Sequence, residues 1–402
     1  MASEEKILIL KMLEQGKINS EEAARLIEAV EGTSKSAQSS GTSYSSAKQQ
    51  KKINFSDEVS KVKEKLNDWK RDFKNSYNQT DFDRMIEEFS AKAEKVGRTL
   101  ATTTLGIADK IVDFVSSFVD TNSFNIFGKY QAVEKTFDVA NITEGMNLEV
   151  QGVNGNILVK KHSDDKVIIK STIRSPHNNA DDLLVFNEGE GNVSVKTTKD
   201  ENISVSYEIF LPTVKFNTIN LKTKNGKIYV EDSIAETFEA QTSNSNIELM
   251  GVNSDKINVT TKNAKIQLGY IIGKNIDINS INSLIDIKHV KTQNINAVSK
   301  NGRIFIENVH NYKGCTDINM NLKTSHAGIK VNMNDMEKRG YKIKAQTTNA
   351  DINLLIPEIT YKIISKQLAS SFVEAESSGY EGYEHKVNIV ADTQNGDIEI
   401  VK

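Results

Sequence analysis

One phrase, Asn–small–x–Ile–x–aliphatic, returns nine times in this chain and limits what it can fold into. With Asn as position zero, it falls at Asn154, Asn225, Asn244, Asn263, Asn282, Asn301, Asn349 and Asn395, and His326 replaces Asn once. From Asn225 to Asn301 every step is 19 residues, and the next two are 25 and 23. Self-similarity at such a period is the signature of a solenoid, in which each repeat buries its apolar face only against its neighbours.

The position after Asn is always Gly, Ala or Ser, position +3 is always Ile, and position +5 is Val, Leu or Ile. Position −6 is apolar throughout, and position −2 is Thr or Ser in every copy but Gly152. Positions −6, −4 and −2 therefore read as one strand, and +3 and +5 as a second, each with its inward face set by the period of two. The Asn–small pair between them is a dipeptide that tolerates positive φ and turns a strand sharply. Coils stacked at ~4.8 Å would place Ile over Ile and Asn over Asn, with the amides bonded along a ladder. Pro176, Pro212 and Pro357 all miss the phrase, as ladder strands require. The fold expected is mainly β, a β-solenoid or β-roll-like stack of 19-residue two-strand coils over 128–402. Within it, VIIKSTI (167–173), LLVF (183–186), NVSVK (192–196) and ISVSYEIFLP (203–212) lack the phrase and read as a β-meander capping one end. Residues 358–385 interrupt the series as one degenerate coil. The phrase sets no register over 160–215 or 358–385.

An α-helical N-terminal region precedes the β half. Residues 1–31 read as a helical hairpin: Ile7, Leu10 and Leu13 form a stripe, Gly16 fits a left-handed cap, and Asn19 with Glu22 resembles a capping box. Residues 32–52, rich in Ser, Thr, Gly and Lys, read as a flexible linker. Over 53–127 the steps Phe55, Val59, Val62, Leu66, Trp69, Phe73, Tyr77 trace a coiled-coil-like seam. A second run follows, carrying Ile107, Ile111, Phe114 and Phe118. Its end, LGIADKIVDFVSSFV (105–119), fits packing against protein better than an amphipathic helix in a membrane interface, because Asp109 and Asp113 outnumber Lys110.

The repeat phrase, with the strand endings Leu211-Pro212 and Ile356-Pro357, resembles the bacterial putative-adhesin family of β-strand-repeat proteins over roughly 140–402. MLEQGKINSEEAARLIEAV (12–30) is similar to the SHOCT-like oligomerisation hairpin. Together they resemble envelope-stress proteins of Gram-positive bacteria, which implies a non-enzymatic scaffold with a β-solenoid binding face and an N-terminal oligomerisation or regulatory arm. The resemblance brings no catalytic residue with it.

The residues themselves point the same way. Position +2 reads Asn156, Lys227, Asn246, Lys265, Leu284, Arg303, Gly328, Asp351, Asp397, which makes no calcium-ligand ladder. Asp277 with Asp286, and Glu231 with Glu248, are the nearest acid pairs for a carbohydrate-active enzyme, the third-ranked reading. His162, His177, His289, His310, His326 and His385 show no metal-ligand spacing, and Cys315 is the lone thiol. The expectation is therefore no catalytic, cofactor-binding or metal site and no cofactor. A net charge of −3 gives no electrostatic reason for a nucleic-acid partner. Protein partners are expected, with homo-oligomerisation through the N-terminal helices and peripheral membrane contact through 105–119 as the alternative. The opening MASEEKILILKMLEQGK is not a signal peptide and no apolar run spans a bilayer, which points to the cytoplasm, with an adhesin-like membrane or surface binder as the second reading.

Overall fold

The structure, a computed structural model, describes residues 132–402 apart from 141, 177–180, 190, 200, 201, 335–337, 368 and 369. The expected helical hairpin, linker and coiled-coil-like region lie outside the described residues. The first strands are β1 (Ala132–Val139), β2 (Asn147–Gln151), β3 (Ile157–Lys161), β4 (Val167–Arg174), β5 (Leu184–Gly189), β6 (Asn192–Thr197), β7 (Ser204–Leu211) and β8 (Phe216–Lys222). Then come two strands of 14 residues each, β9 (Ile228–Gln241) and β10 (Ile247–Thr260). They are followed by β11 (Ile266–Ile272), β12 (Asn275–Ser280), β13 (Ile285–Thr292), β14 (Asn294–Ser299), β15 (Ile304–Asn311), β16 (Asp317–Lys323) and β17 (Ile329–Asn332). The last are β18 (Arg339–Thr347), β19 (Ile352–Leu355), β20 (Ile359–Gln367), β21 (Ser370–Ser377), β22 (His385–Asp392) and β23 (Ile398–Val401).

These strands form two parallel walls. The exit wall, downstream of each Asn, runs β7–β3–β9–β10–β11–β13–β15–β17–β23–β19. The entry wall, upstream of each Asn, runs β6–β2–β8–β9–β10–β12–β14–β16–β22–β18. β9 and β10 pass from one wall into the other without interruption. The expected columns form. Ile157, Ile228, Ile247, Ile266, Ile285, Ile304, Ile329, Ile398 and Ile352 are successive register partners, and Tyr207 closes the row beside Ile157. All but Ile352 are buried, each contributing roughly 1.5–3 kcal/mol relative to exposure. Leu148, Ile219, Phe238, Ile257, Ile276, Ile295, Met320, Ile389 and Ile343 face them from the entry wall.

The order of coils in space differs from their order in sequence at both ends. β2 and β3 lie between the coil of β6 and β7 and the coil of β8 and β9. At the other end, β22 and β23 slot between the coil of β16 and β17 and the coil of β18 and β19. The segment read as a meander thus contributes β6 and β7 to the stack, and only β4, β1 and β5 add antiparallel strands there. Residues 358–385 are no degenerate coil: β20 and β21 form an antiparallel hairpin on β18. Antiparallel strands at each end cover strand edges that a bare solenoid would leave open.

Candidate functional site

The repeated polar residues act between coils. Asn225, Asn244, Asn263, Asn282 and Asn301 each donate Nδ2–H to the side-chain oxygen of the Asn one coil back, at 2.5–2.8 Å. Asn349 does the same to Asn395 at 2.7 Å, and Asn395 Nδ2 lies 2.9 Å from His326 Nδ1, so the histidine takes its place in the row. The hydroxyl at −2 has a role of its own. Thr223, Thr242, Thr324, Thr347 and Thr393 donate to the +1 carbonyls of Gly155, Gly226, Gly302, Gly396 and Ala327, at 2.9–3.1 Å. These bonds satisfy buried backbone acceptors at the corner.

The Asn corner does not use positive φ, contrary to the sequence expectation. None of its Asn or small residues has it; the left-handed conformation sits seven residues later, at Asp232, Gly251, Tyr270, His289 and Asn308, with φ of 54–71°. The small residue at +1 answers to close approach instead: a Cβ on Gly226 would stand 1.7 Å from the Gly155 carbonyl oxygen. The second corner carries a mixed column. The Tyr270 and His289 rings stack at 4.8 Å and 8°, and Asn308 Nδ2 lies 3.3 Å from His289 Nδ1. Burial pushes the Tyr270 phenol up to about 12. Gly251, lacking a side chain, leaves a notch of about 90 Å³ lined by Asp232, Tyr270, Lys161 and Asn253. Just past this corner, Lys291 and His310 are register neighbours and both buried. Burial pushes Lys291 down to about 7 and, with the Arg339, His289 and Lys291 charges, His310 down to about 3. Arg339 donates to the Val309 carbonyl at 3.2 Å. The sequence signal for this column was weak, because its residue type changes at every coil and Tyr270 is not a type that favours left-handed backbone.

The outer faces of the two walls differ in chemistry. On the entry wall, Asn294 donates to Asn275 at 2.8 Å, Asn319 to Asn294 at 3.0 Å and Asn388 to Asn319 at 3.0 Å. Beside that row run Asn258 to Glu239 at 3.1 Å, Asn296 to Asp277 at 3.2 Å and Asn321 to Asn296 at 3.0 Å. On the exit wall the outward +4 row reads Leu158, Tyr229, Glu248, Gln267, Asp286, Phe305, Lys330, Glu399. Its middle is a charge network: Asp286 lies 3.3 Å from Lys265 and 3.8 Å from Lys288, which is 3.9 Å from Glu307 and over the Phe305 ring at 5.2 Å. At the N-terminal end of this row, Leu158 and Tyr229 are 1% and 0% exposed despite their outward register. Burial, then the charges of Glu231, Glu248 and Asp232, raise the Tyr229 phenol well above its ordinary range.

The two acid pairs named from sequence fall differently in the structure. Asp277 is on the entry wall and Asp286 on the exit wall. Glu231 and Glu248 do share the exit-wall face, where they flank Tyr229. His162 Nε2 lies 2.6 Å from the Lys166 carbonyl oxygen, and His177 lies outside the described residues. Among the described residues no three His, Cys, Asp or Glu side chains converge as a metal-ligand set. Cys315 is half-buried.

Comparison with known proteins agrees with the repeat. A family model described as a SHOCT-like domain matches residues 4–35, and one described as Toastrack DUF4097 matches residues 121–401. No curated protein matches the chain. Among solved structures, the chain is similar to a "putative adhesin" of Bacteroides fragilis at 13% identity, covering 67% of this chain and 97% of that one, TM-score 0.36. A "putative adhesin" of Parabacteroides merdae is similar at 12% identity, over 68% and 98%, TM-score 0.33. A "putative cell adhesion protein" of Clostridium sporogenes is similar at 12% identity, over 67% and 99%, TM-score 0.22. With a SHOCT-like domain at its N-terminus and the second match spanning most of its length, the chain belongs to the Toastrack DUF4097 family.

Proposed function

We propose that this protein is a non-enzymatic interaction scaffold of the cell-envelope stress response, with a helical N-terminal arm that oligomerises or regulates it. One observation carries the reading: the Asn and Thr residues that repeat are engaged from coil to coil, which leaves two long lateral faces of different chemistry. Such faces suit protein partners, because they offer continuous area. The envelope context rests on the pairing of a SHOCT-like hairpin with a β-strand-repeat domain, and a cytoplasmic or membrane-peripheral location goes with it. Light scattering and affinity capture on the full chain and on a variant lacking residues 1–52 test the arm. The full chain should be oligomeric and retain partners that the shortened chain loses. Equal mass and equal partners in both would remove the arm's role.

A second reading, an adhesin-like surface binder, is favoured by β20. Among the described residues this strand pairs only with β21, and it exposes Ile363 at 48% and Ile364 at 65%, which suits pairing with an extended segment of a partner. Blocking that pairing by Ile364→Pro should abolish surface binding on this reading and leave scaffold partners bound on the first.

A further inference from the structure

The two ends of the stack are finished differently. Beyond β7 the exit wall runs on through β4 and β1, beyond β6 the entry wall runs on through β5, and the Phe137 and Phe186 rings stack between them at 4.4 Å. At the other end only the entry wall runs on. β21 and β20 extend it two strands beyond β18, whereas among the described residues the exit wall stops at β19. Tyr361 and Ile364 of β20 lie on the inner face of this overhang, since they partner Ala375 and Val373, which partner Ile343 and Ala345 of the core. The last coil is left open there. Ile352 is the one member of its column that is not buried. Ile364, Leu355 and Ile363 are the most exposed large apolar side chains among the described residues, at 65%, 59% and 48%.

We propose that a second copy of this chain docks at this end, the β20–β21 overhang of each copy filling the two-strand step in the other's exit wall. A two-strand step beside a two-strand overhang is self-complementary about a two-fold axis that exchanges the walls, the isologous form of a closed dimer. Strand directions agree. Entry strands run towards the Asn corners and exit strands away from them. β20, antiparallel to β21, runs with β18 towards the corners. With the Asn corners of both copies on one side, β20 of one copy lies antiparallel to β19 of the other, the stronger kind of ladder. The joint covers Ile363 with Leu355 on the outer face, and Tyr361 and Ile364 with Ile352 and Leu354 on the inner one. Charge agrees too. Lys366, at the corner end of β20, bonds Asp351 of its own chain at 3.0 Å, and the axis brings it level with Asp351 of the other copy. Each overhang, with nine residues in β20, offers about 30 Å by 10 Å, and each strand edge set by the four residues of β19 about 14 Å by 10 Å. With two such edges per copy the joint takes about 600 Å² from each, which reaches the lower limit of a stable specific interface, about 1,200 Å² in total. The inference rests on neither functional reading above.

Cysteine crosslinking of the full chain tests it. In a Cys315→Ser background, Leu355→Cys with Ile363→Cys puts the two thiols of one chain on opposite walls, about 10 Å apart and beyond disulfide reach, but side by side across the joint. Under mild oxidation this double variant should form a covalent dimer at least tenfold more abundantly than either single variant. Adding Tyr361→Lys with Ile364→Lys, at exposed positions that leave the core intact, should return the yield to that background. A yield no higher than in the single variants would overturn the proposal, as would one unmoved by the lysines. So would a ladder of covalent trimers and larger species, which a closed two-fold joint forbids. These outcomes leave the arm's role untouched, because that role is read by removing residues 1–52.

Discussion

Each coil of this protein turns twice, and the two corners are built on opposite principles. The Asn corner has near-constant residues on ordinary backbone: amides bonded amide to amide, a small residue under the next carbonyl and a hydroxyl serving that carbonyl. The second corner has variable residues on a constrained backbone, with Asp232, Gly251, Tyr270, His289 and Asn308 all at positive φ. Residue identity is repeated where one coil must bond the next. Where only the backbone must bend, identity drifts, and the left-handed penalty of ~1–2 kcal/mol for most residues is carried by the packing on either side.

Neither corner should matter as much as the column between them. Ile266→Ala, in mid-stack, should lower unfolding free energy by roughly 2–5 kcal/mol in urea titration, as a fully buried truncation. A corner variant that costs more would overturn the view of corners as fittings on an isoleucine core. Acid should then separate the corners. His310 lies by the second one with its folded value pushed down to about 3, below the ordinary 6.5. The unfolded chain therefore binds a proton that the folded one refuses. This contribution is complete above pH 6.5 and is lost as pH falls towards 3, with a limiting slope of about 1.4 kcal/mol per pH unit. His310→Leu should flatten the stability profile over that window, whereas a change at the neutral Asn row should leave it parallel to wild type.

That division also explains what could be read in the sequence. The inward Ile column and the Asn row were legible, because in-register stacking repeats the same contact at the same position. The hydroxyl at −2 was visible, but its acceptor was not, since the +1 carbonyl becomes a neighbour only across coils. The positive-φ column was hidden by Tyr270, a residue type that does not signal left-handed backbone, and by the absence of one repeated residue type at that position. The order of the coils was illegible for a deeper reason. All the repeats share one set of contacts, so the phrase says that coils stack and leaves open which coil lies beside which. Nothing in His326, Asn349 and Asn395 announces that the coil of 385–401 lies between those of 317–332 and 339–355. On the outward +4 row, Leu158 and Tyr229 are buried where strand alternation alone places exposed side chains.

Glycine offers a cleaner contrast, since each corner uses it for a different reason. At Gly226 the constraint is space: an added methyl meets the Gly155 carbonyl oxygen and must push two coils apart. Gly226→Ala should cost ~1–3 kcal/mol as an overpacked contact. At Gly251 the constraint is the backbone, with φ of 71°. Gly251→Ala should cost about 1 kcal/mol, and Gly251→Asn less, because Asn tolerates that conformation. If Gly226→Asn were as mild as Gly251→Asn, the assignment of close approach to one corner and strain to the other would fail.

The smallest effect tests the Asn row itself. Asn263 donates to Asn244 at 2.7 Å and accepts from Asn282 at 2.8 Å, and its side chain is exposed to water. Removing it breaks two bonds, but water can satisfy the amides left on either side, so the desolvation penalty of a buried orphan does not arise. Asn263→Ala should therefore cost only ~1 kcal/mol, measured beside Ile266→Ala in the same coil. A ladder acts as more than a sum of pairs if its bonds polarise one another. The double variant with Asn282→Ala separates the cases: independent bonds predict less than twice the single cost, since the shared bond is counted once. A loss well beyond twice the single value would mean that the row stabilises the stack cooperatively, and the Asn corner would then belong with the isoleucine column as a determinant of the fold.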